Sequence, residues 1–90
     1  MSYELSFSDR AKQDLAGLKK NDISSYKKAA KLLEEIQQHP TTGIGKPEQL
    51  KHNLSRLWSR RINKKDRLVD KIDEADMKIQ ILSAEGHYSN

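Results

Sequence analysis

Two hydrophobic periods divide this chain. Up to residue 39 apolar residues recur mostly every three or four positions, and beyond residue 56 they alternate with polar ones. The first spacing suits a helix and the second a strand, because side chains share one face at 3.6 and 2 residues respectively. The change falls across residues 40–48, Pro-Thr-Thr-Gly-Ile-Gly-Lys-Pro-Glu, a loop punctuated by two prolines and two glycines. Helices therefore come first and strands after them, which predicts an α+β arrangement.

The elements follow from local chemistry. Tyr3-Glu4-Leu5-Ser6-Phe7 alternates with period two and reads as an N-terminal strand. Ser8 suits the start of a helix, on which Ala11, Leu15 and Leu18 form one apolar stripe. Lys19 and Lys20 suit its negative end, and Asn21 is expected to take the left-handed stop position. Asp22 should cap a second helix carrying Ile23, Tyr26, Ala30, Leu33 and Ile36–Gln37 along one side. Pro40 should end it by disfavouring helical geometry at His39. Leu57–Ile62, Arg67–Ile72 and Met77–Leu82 read as strands joined by turns short enough only for antiparallel hairpins. The expected product is one domain over residues 1–90, with two N-terminal helices packed on one face of a twisted antiparallel sheet. If Trp58, Ile62, Leu68 and Ile72 face the helices, then Leu57, Ser59, Arg61, Arg67, Val69 and Lys71 line the opposite, helix-free face.

That second face concentrates the charge. The chain carries a net +4. Residues 46–71 alone hold nine basic residues against three acids, a local +6, whereas residues 72–90 sum to −3. A solvated lysine-rich surface is one reading. The arginines, with Trp58 among them, favour a polyanion-binding face. There is no cysteine, which excludes disulfides and thiolate metal sites. No signal peptide is visible, and no stretch approaches the ~20 apolar residues of a membrane helix. A soluble, cytoplasmic protein is expected. Phosphate-binding glycine loops, histidine-rich metal spacings and Ser-His-Asp sets are absent too. Acid, base and cation remain, and metal-free RNA cleavage needs little else. A base takes the ribose 2′-hydroxyl proton, cations stabilise the phosphorane and an acid protonates the leaving 5′-oxygen.

The run Gly45-Lys46-Pro47-Glu48-x-Leu50-Lys51-His52-Asn53-Leu54-Ser55, continued by Leu57-Trp58-Ser59-Arg60-Arg61-Ile62, Arg67-Leu68-Val69 and Gly86-His87-Tyr88, resembles the YoeB branch of the RelE toxin superfamily. The match covers residues 40–72 and the C-terminal tripeptide, while the helical half matches only in pattern. The resemblance implies a fold related to microbial ribonucleases and a type II toxin that cuts mRNA in the ribosomal A site. It implies Glu48 as general base, His87 as general acid, Arg67 as the phosphate-stabilising cation and Tyr88 as the residue closing the site. Arg61, Lys51, Arg60 and Lys46 are the expected RNA contacts; no metal or cofactor is implied. The implied partners are mRNA on the ribosome, a YefM-like antitoxin, and operator DNA only through the antitoxin complex, with monomer or homodimer left open.

A nuclease-dead member serving as a ribosome-binding or corepressor module is the alternative, and retention of Glu48, Arg67, His87 and Tyr88 together favours catalysis. Trp58 is expected in the core, and His39 and His52 in structural or solvent-facing places. Two positions depart from the family pattern. Asp66, where a histidine is common, should sit harmlessly in a turn. Asp70, where an aromatic is usual, should face the helices, with Arg60 as its expected partner.

Overall fold

The computed structural model describes residues 2–51 and 56–86. Its elements are β1 (Glu4–Phe7), α1 (Asp9–Asn21), α2 (Ile23–Gln38), β2 (Glu48–Gln49), β3 (Leu57–Arg61), β4 (Arg67–Asp73) and β5 (Lys78–Ser83). Ser8 caps α1, its hydroxyl accepting from the Ala11 N–H at 3.0 Å and donating to the Leu82 carbonyl at 2.9 Å. The same side chain thus starts the helix and fastens it to the sheet.

Asn21 does not take the expected left-handed position. It remains the last residue of α1, and Asp22, at φ −151°, both ends α1 and begins α2. The Asp22 carboxylate accepts from the Ser25 hydroxyl at 2.7 Å and from the Ser25 N–H at 3.2 Å. Those bonds, the hydroxyl first, hold its carboxyl below the usual aspartate range. The second helix ends at Gln38, with His39 out of helical geometry (φ −136°, ψ 77°) ahead of Pro40, as expected.

The five strands form one sheet in the order β1-β5-β4-β3-β2. The expectation of a wholly antiparallel sheet is corrected by one pair: β1 runs parallel to β5. The helical hairpin carries the chain across one face to the far edge, and the four-strand meander returns to β1 running in its direction. The two-residue β2 begins at Glu48, the last residue of the expected loop. It pairs Glu48 with Ser59 and Gln49 with Trp58 at the edge of the sheet.

Ala11, Leu18, Ala29, Leu32 and Ile36 of the helices meet Ile62, Leu68, Ile79 and Ile81 of the sheet in the main core. The α2 stripe is rotated from the expected one. Ala29 and Leu32 are buried, whereas Ala30 is exposed and Ile23 is 53% exposed. Leu50, Leu57 and Val69, with Leu82 against them, form a smaller cluster on the other face. The helix-free face is therefore partly filled rather than fully open. Among the described residues no helix is long and apolar enough to cross a membrane.

Candidate nucleic-acid interface and active site

Strand alternation assembles the candidate site. Glu48 pairs with Ser59, Ser59 with Val69, and Arg61 with Arg67, so all five positions lie on the helix-free face. Arg67, first in β4, is the centre of the set. Its Nε donates to the Ser59 hydroxyl at 3.0 Å, and its Nη2 donates to Glu48 Oε2 at 3.3 Å. The Glu48 side chain remains 60% exposed and that of Arg67 21%. A carboxylate open to solvent thus sits beside a guanidinium fixed by a neighbouring hydroxyl. Arg61 lies directly across from Arg67, so two like charges face each other over adjacent strands. Such a pair costs energy unless an anion comes between them. Lys46 and Lys51 are exposed in the flanking segments, and Lys46 takes φ +50° between Gly45 and Pro47.

The structure therefore brings together Glu48, Arg61 and Arg67 among the expected site residues. His87, Tyr88 and the incidental His52 lie outside the described residues. So do Asn53, Leu54 and Ser55 of the motif. Gly86, the last described residue, is bonded at both ends. Its N–H donates to Asp66 Oδ1 and its carbonyl accepts from the Arg67 N–H, each at 2.9 Å. The polypeptide enters His87 from a residue tied to the strand end that carries Arg67.

Arg60 is corrected. Expected as an RNA contact, it is 1% exposed on the helix-facing side. Its guanidinium donates to the Ile44 carbonyl at 3.0 Å and to the His39 carbonyl. A buried guanidinium with carbonyl partners has no surface to offer a phosphate. Burial lowers its pKa, opposed by the charges of Asp70 and Glu35. Asp70 faces the helices as expected and is also 1% exposed. Among the described residues neither of its oxygens has a hydrogen-bond donor. Arg60 acts on it through space rather than through a bond. Burial pushes the Asp70 carboxyl up to about 7, with the Arg60 charge pulling the other way.

Sequence reasoning missed two supporting groups. Ser59, which orients Arg67, leaves no signal beyond its place on the basic face. Asp66, expected to sit harmlessly in a turn, is buried and links three segments. It accepts from Gly86 and from Asn63 Nδ2 at 2.9 Å, and Asn63 Nδ2 also donates to the Ser25 hydroxyl at 2.8 Å. The spacing Asn63-x-x-Asp66 signals the turn, since the Asn63 side-chain oxygen accepts from the Lys65 and Asp66 N–H groups. Nothing local signals the tail contact.

Comparison with known proteins decides the family. Residues 7–88 match the model of the YoeB-like toxin of the bacterial type II toxin-antitoxin system. This chain belongs to that family. A toxin YoeB of Synechocystis is 41% identical over 85 residues, covering 94% of this chain and 96% of the relative. The Staphylococcus aureus YoeB dimer superimposes with a TM-score of 0.85 at 40% identity, covering 98% of this chain and all of that one. The heterotetrameric YoeB-YefM toxin-antitoxin complex of the same organism gives 0.82 at 40% identity, with the same coverage.

This YoeB-like toxin also has a concavity beside Gln49, the neighbour of Glu48 in β2. It is an open hollow of about 530 Å³ lined by Gln49, Arg56, Trp58, Lys71, Ile72 and the end of β4 with Glu74. Trp58, expected in the core, is half-buried and lines this hollow instead. Among the described residues no three His, Asp or Glu side chains converge to hold a metal ion.

Proposed function

We propose that this YoeB-like toxin is an endoribonuclease that cuts mRNA in the ribosomal A site without a metal or cofactor. The observation that carries the reading is the Glu48–Arg67 pair, a solvent-accessible carboxylate 3.3 Å from an oriented guanidinium on the basic sheet face. In this reading RNA displaces the pair. Glu48 removes the 2′-hydroxyl proton, and the 2′-oxygen attacks the adjacent phosphorus. Arg67, supported by Arg61, neutralises the charge that builds on the phosphorane oxygens. His87 returns a proton to the departing 5′-oxygen, and Tyr88 closes the site around it. Histidine suits that task because its ordinary pKa lies near neutrality. Lys46, Lys51 and Arg61 hold the RNA backbone; Arg60 holds protein instead.

The same face calls for an inhibitor, since a nuclease acting on translated mRNA would arrest its own host. The family and the YoeB-YefM complex of the S. aureus relative favour a YefM-like antitoxin as that partner, with operator DNA reached only through the complex. They also favour cytoplasmic action and, from the S. aureus dimer, a capacity to self-associate.

The chemistry is tested on the substrate. A 2′-O-methyl or 2′-deoxy sugar immediately upstream of the cut should abolish cleavage, and the downstream product should carry a 5′-hydroxyl. Chelator should leave the rate unchanged. Undiminished cutting of the 2′-modified message would rule this mechanism out.

A further inference from the structure

The loop that delivers Glu48 has little core of its own. Thr41 to Ile44 and Lys46 are exposed. What holds the loop is β3. Arg60 crosses under it and donates to the carbonyls of His39 and Ile44, the two ends of the six-residue segment 39–44. The next residue continues the attachment, because the Arg61 N–H donates to the Gly45 carbonyl at 2.7 Å. Gly45 is pressed close enough that a Cβ there would meet Leu32 Cδ2 at 2.7 Å and Arg60 Cβ at 3.1 Å, and its φ is +83°. Three residues later Glu48 pairs with Ser59. A guanidinium suits this place because its donors diverge in a rigid plane and reach two acceptors at once, which an ammonium does less well.

We propose that Arg60 is the positioning residue for Glu48: its buried guanidinium staples residues 39–45 to β3 and thereby sets where the carboxylate stands against Arg67. The functional half of this inference rests on the nuclease reading; the staple itself does not. Asp70 completes the arrangement as the buried carboxyl beside the guanidinium. It lies across from Trp58, while Arg60 lies across from Leu68, so the two side chains are diagonal neighbours on the helix-facing side. Glu35 of α2 is the other charged group acting on Arg60.

Removing Arg60 alone would strand Asp70 and risk unfolding, so the test uses two variants. Arg60→Lys keeps the charge but not the fork. The double variant Arg60→Met with Asp70→Leu removes both buried ionisable groups, a replacement that folded proteins commonly tolerate. In the folded double variant, exchange of the Arg61 amide should accelerate at least tenfold, with the β4 and β5 amides unaffected. Cleavage of mRNA on ribosomes should lose about tenfold to a hundredfold in kcat with KM unchanged, as expected when a reacting group is misplaced but binding is kept. Arg60→Lys should fall between the double variant and wild type. Unchanged Arg61 exchange in the double variant would overturn the staple. Faster exchange with wild-type kcat would overturn the positioning role. If the wild-type protein itself does not cut, the nuclease reading fails separately, and the exchange result still judges the staple.

Discussion

At the scale of single residues, two carboxylates with opposite surroundings make opposite predictions. Glu48 is open to solvent and paired with Arg67, so replacing it should change chemistry and leave folding alone. Glu48→Gln should lose on the order of a hundredfold or more in kcat, the usual share of a general base, with an unchanged thermal midpoint. Asp70 is the reverse. Its carboxyl stands at about 7 in the folded protein against an ordinary 3.8. Between those values the unfolded chain has released its proton and the folded chain has not. Stability therefore falls as pH rises through roughly 4 to 7, and the contribution is level above that window. The full span is worth on the order of a few kcal/mol. Asp70→Asn cannot ionise and should flatten the slope, which urea unfolding at pH 4.5 and pH 7.5 would show. An unaltered slope would mean that Asp70 ionises without penalty.

At the scale of elements, what the sequence revealed and what it concealed divide by range. Caps and stops are local, so Ser8, Asp22 and Pro40 were legible in place, and the alternation of β3 and β4 gave the correct faces for Leu57, Ser59, Arg61, Leu68 and Val69. The parallel β1–β5 pairing and the two-residue β2 depend on contacts across the chain, and no local period announces them. The α2 stripe turned because Ala29 and Leu32, not Ala30 and Ile23, fit the space over the sheet. Within the site, residue types on the basic face were legible, whereas the burial of Arg60 beneath the loop and the hold of Asp66 on Gly86 were not. That hold is an element-scale prediction. Asp66→Ala would strip the Gly86 N–H and the Asn63 amide of their shared acceptor, and should cost about 1–3 kcal/mol in urea unfolding. Exchange at the Gly86 amide should accelerate more than elsewhere.

At the scale of the whole molecule, charge is the governing feature. The +6 segment between Lys46 and Lys71 offers Arg61 and Arg67 to phosphates or to carboxylates, so RNA and an acidic antitoxin segment should compete for one face. Electrostatic steering would then make antitoxin association fall steeply with salt, while affinity, anchored partly by apolar contacts, falls only moderately. Stopped-flow rates across ionic strength check this, and a salt-insensitive association rate would place the antitoxin elsewhere. On the proposed function this sheet face cuts mRNA only where the ribosome presents it. Primer extension on one message, with and without translating ribosomes, tests it most directly. Wild-type protein should give discrete cuts within codons when ribosomes are present and none on naked RNA, with Glu48→Gln and His87→Ala both sharply reduced. Equal cutting of naked RNA would contradict ribosome dependence, and no cutting in either condition, by protein shown to be folded, would contradict the nuclease itself.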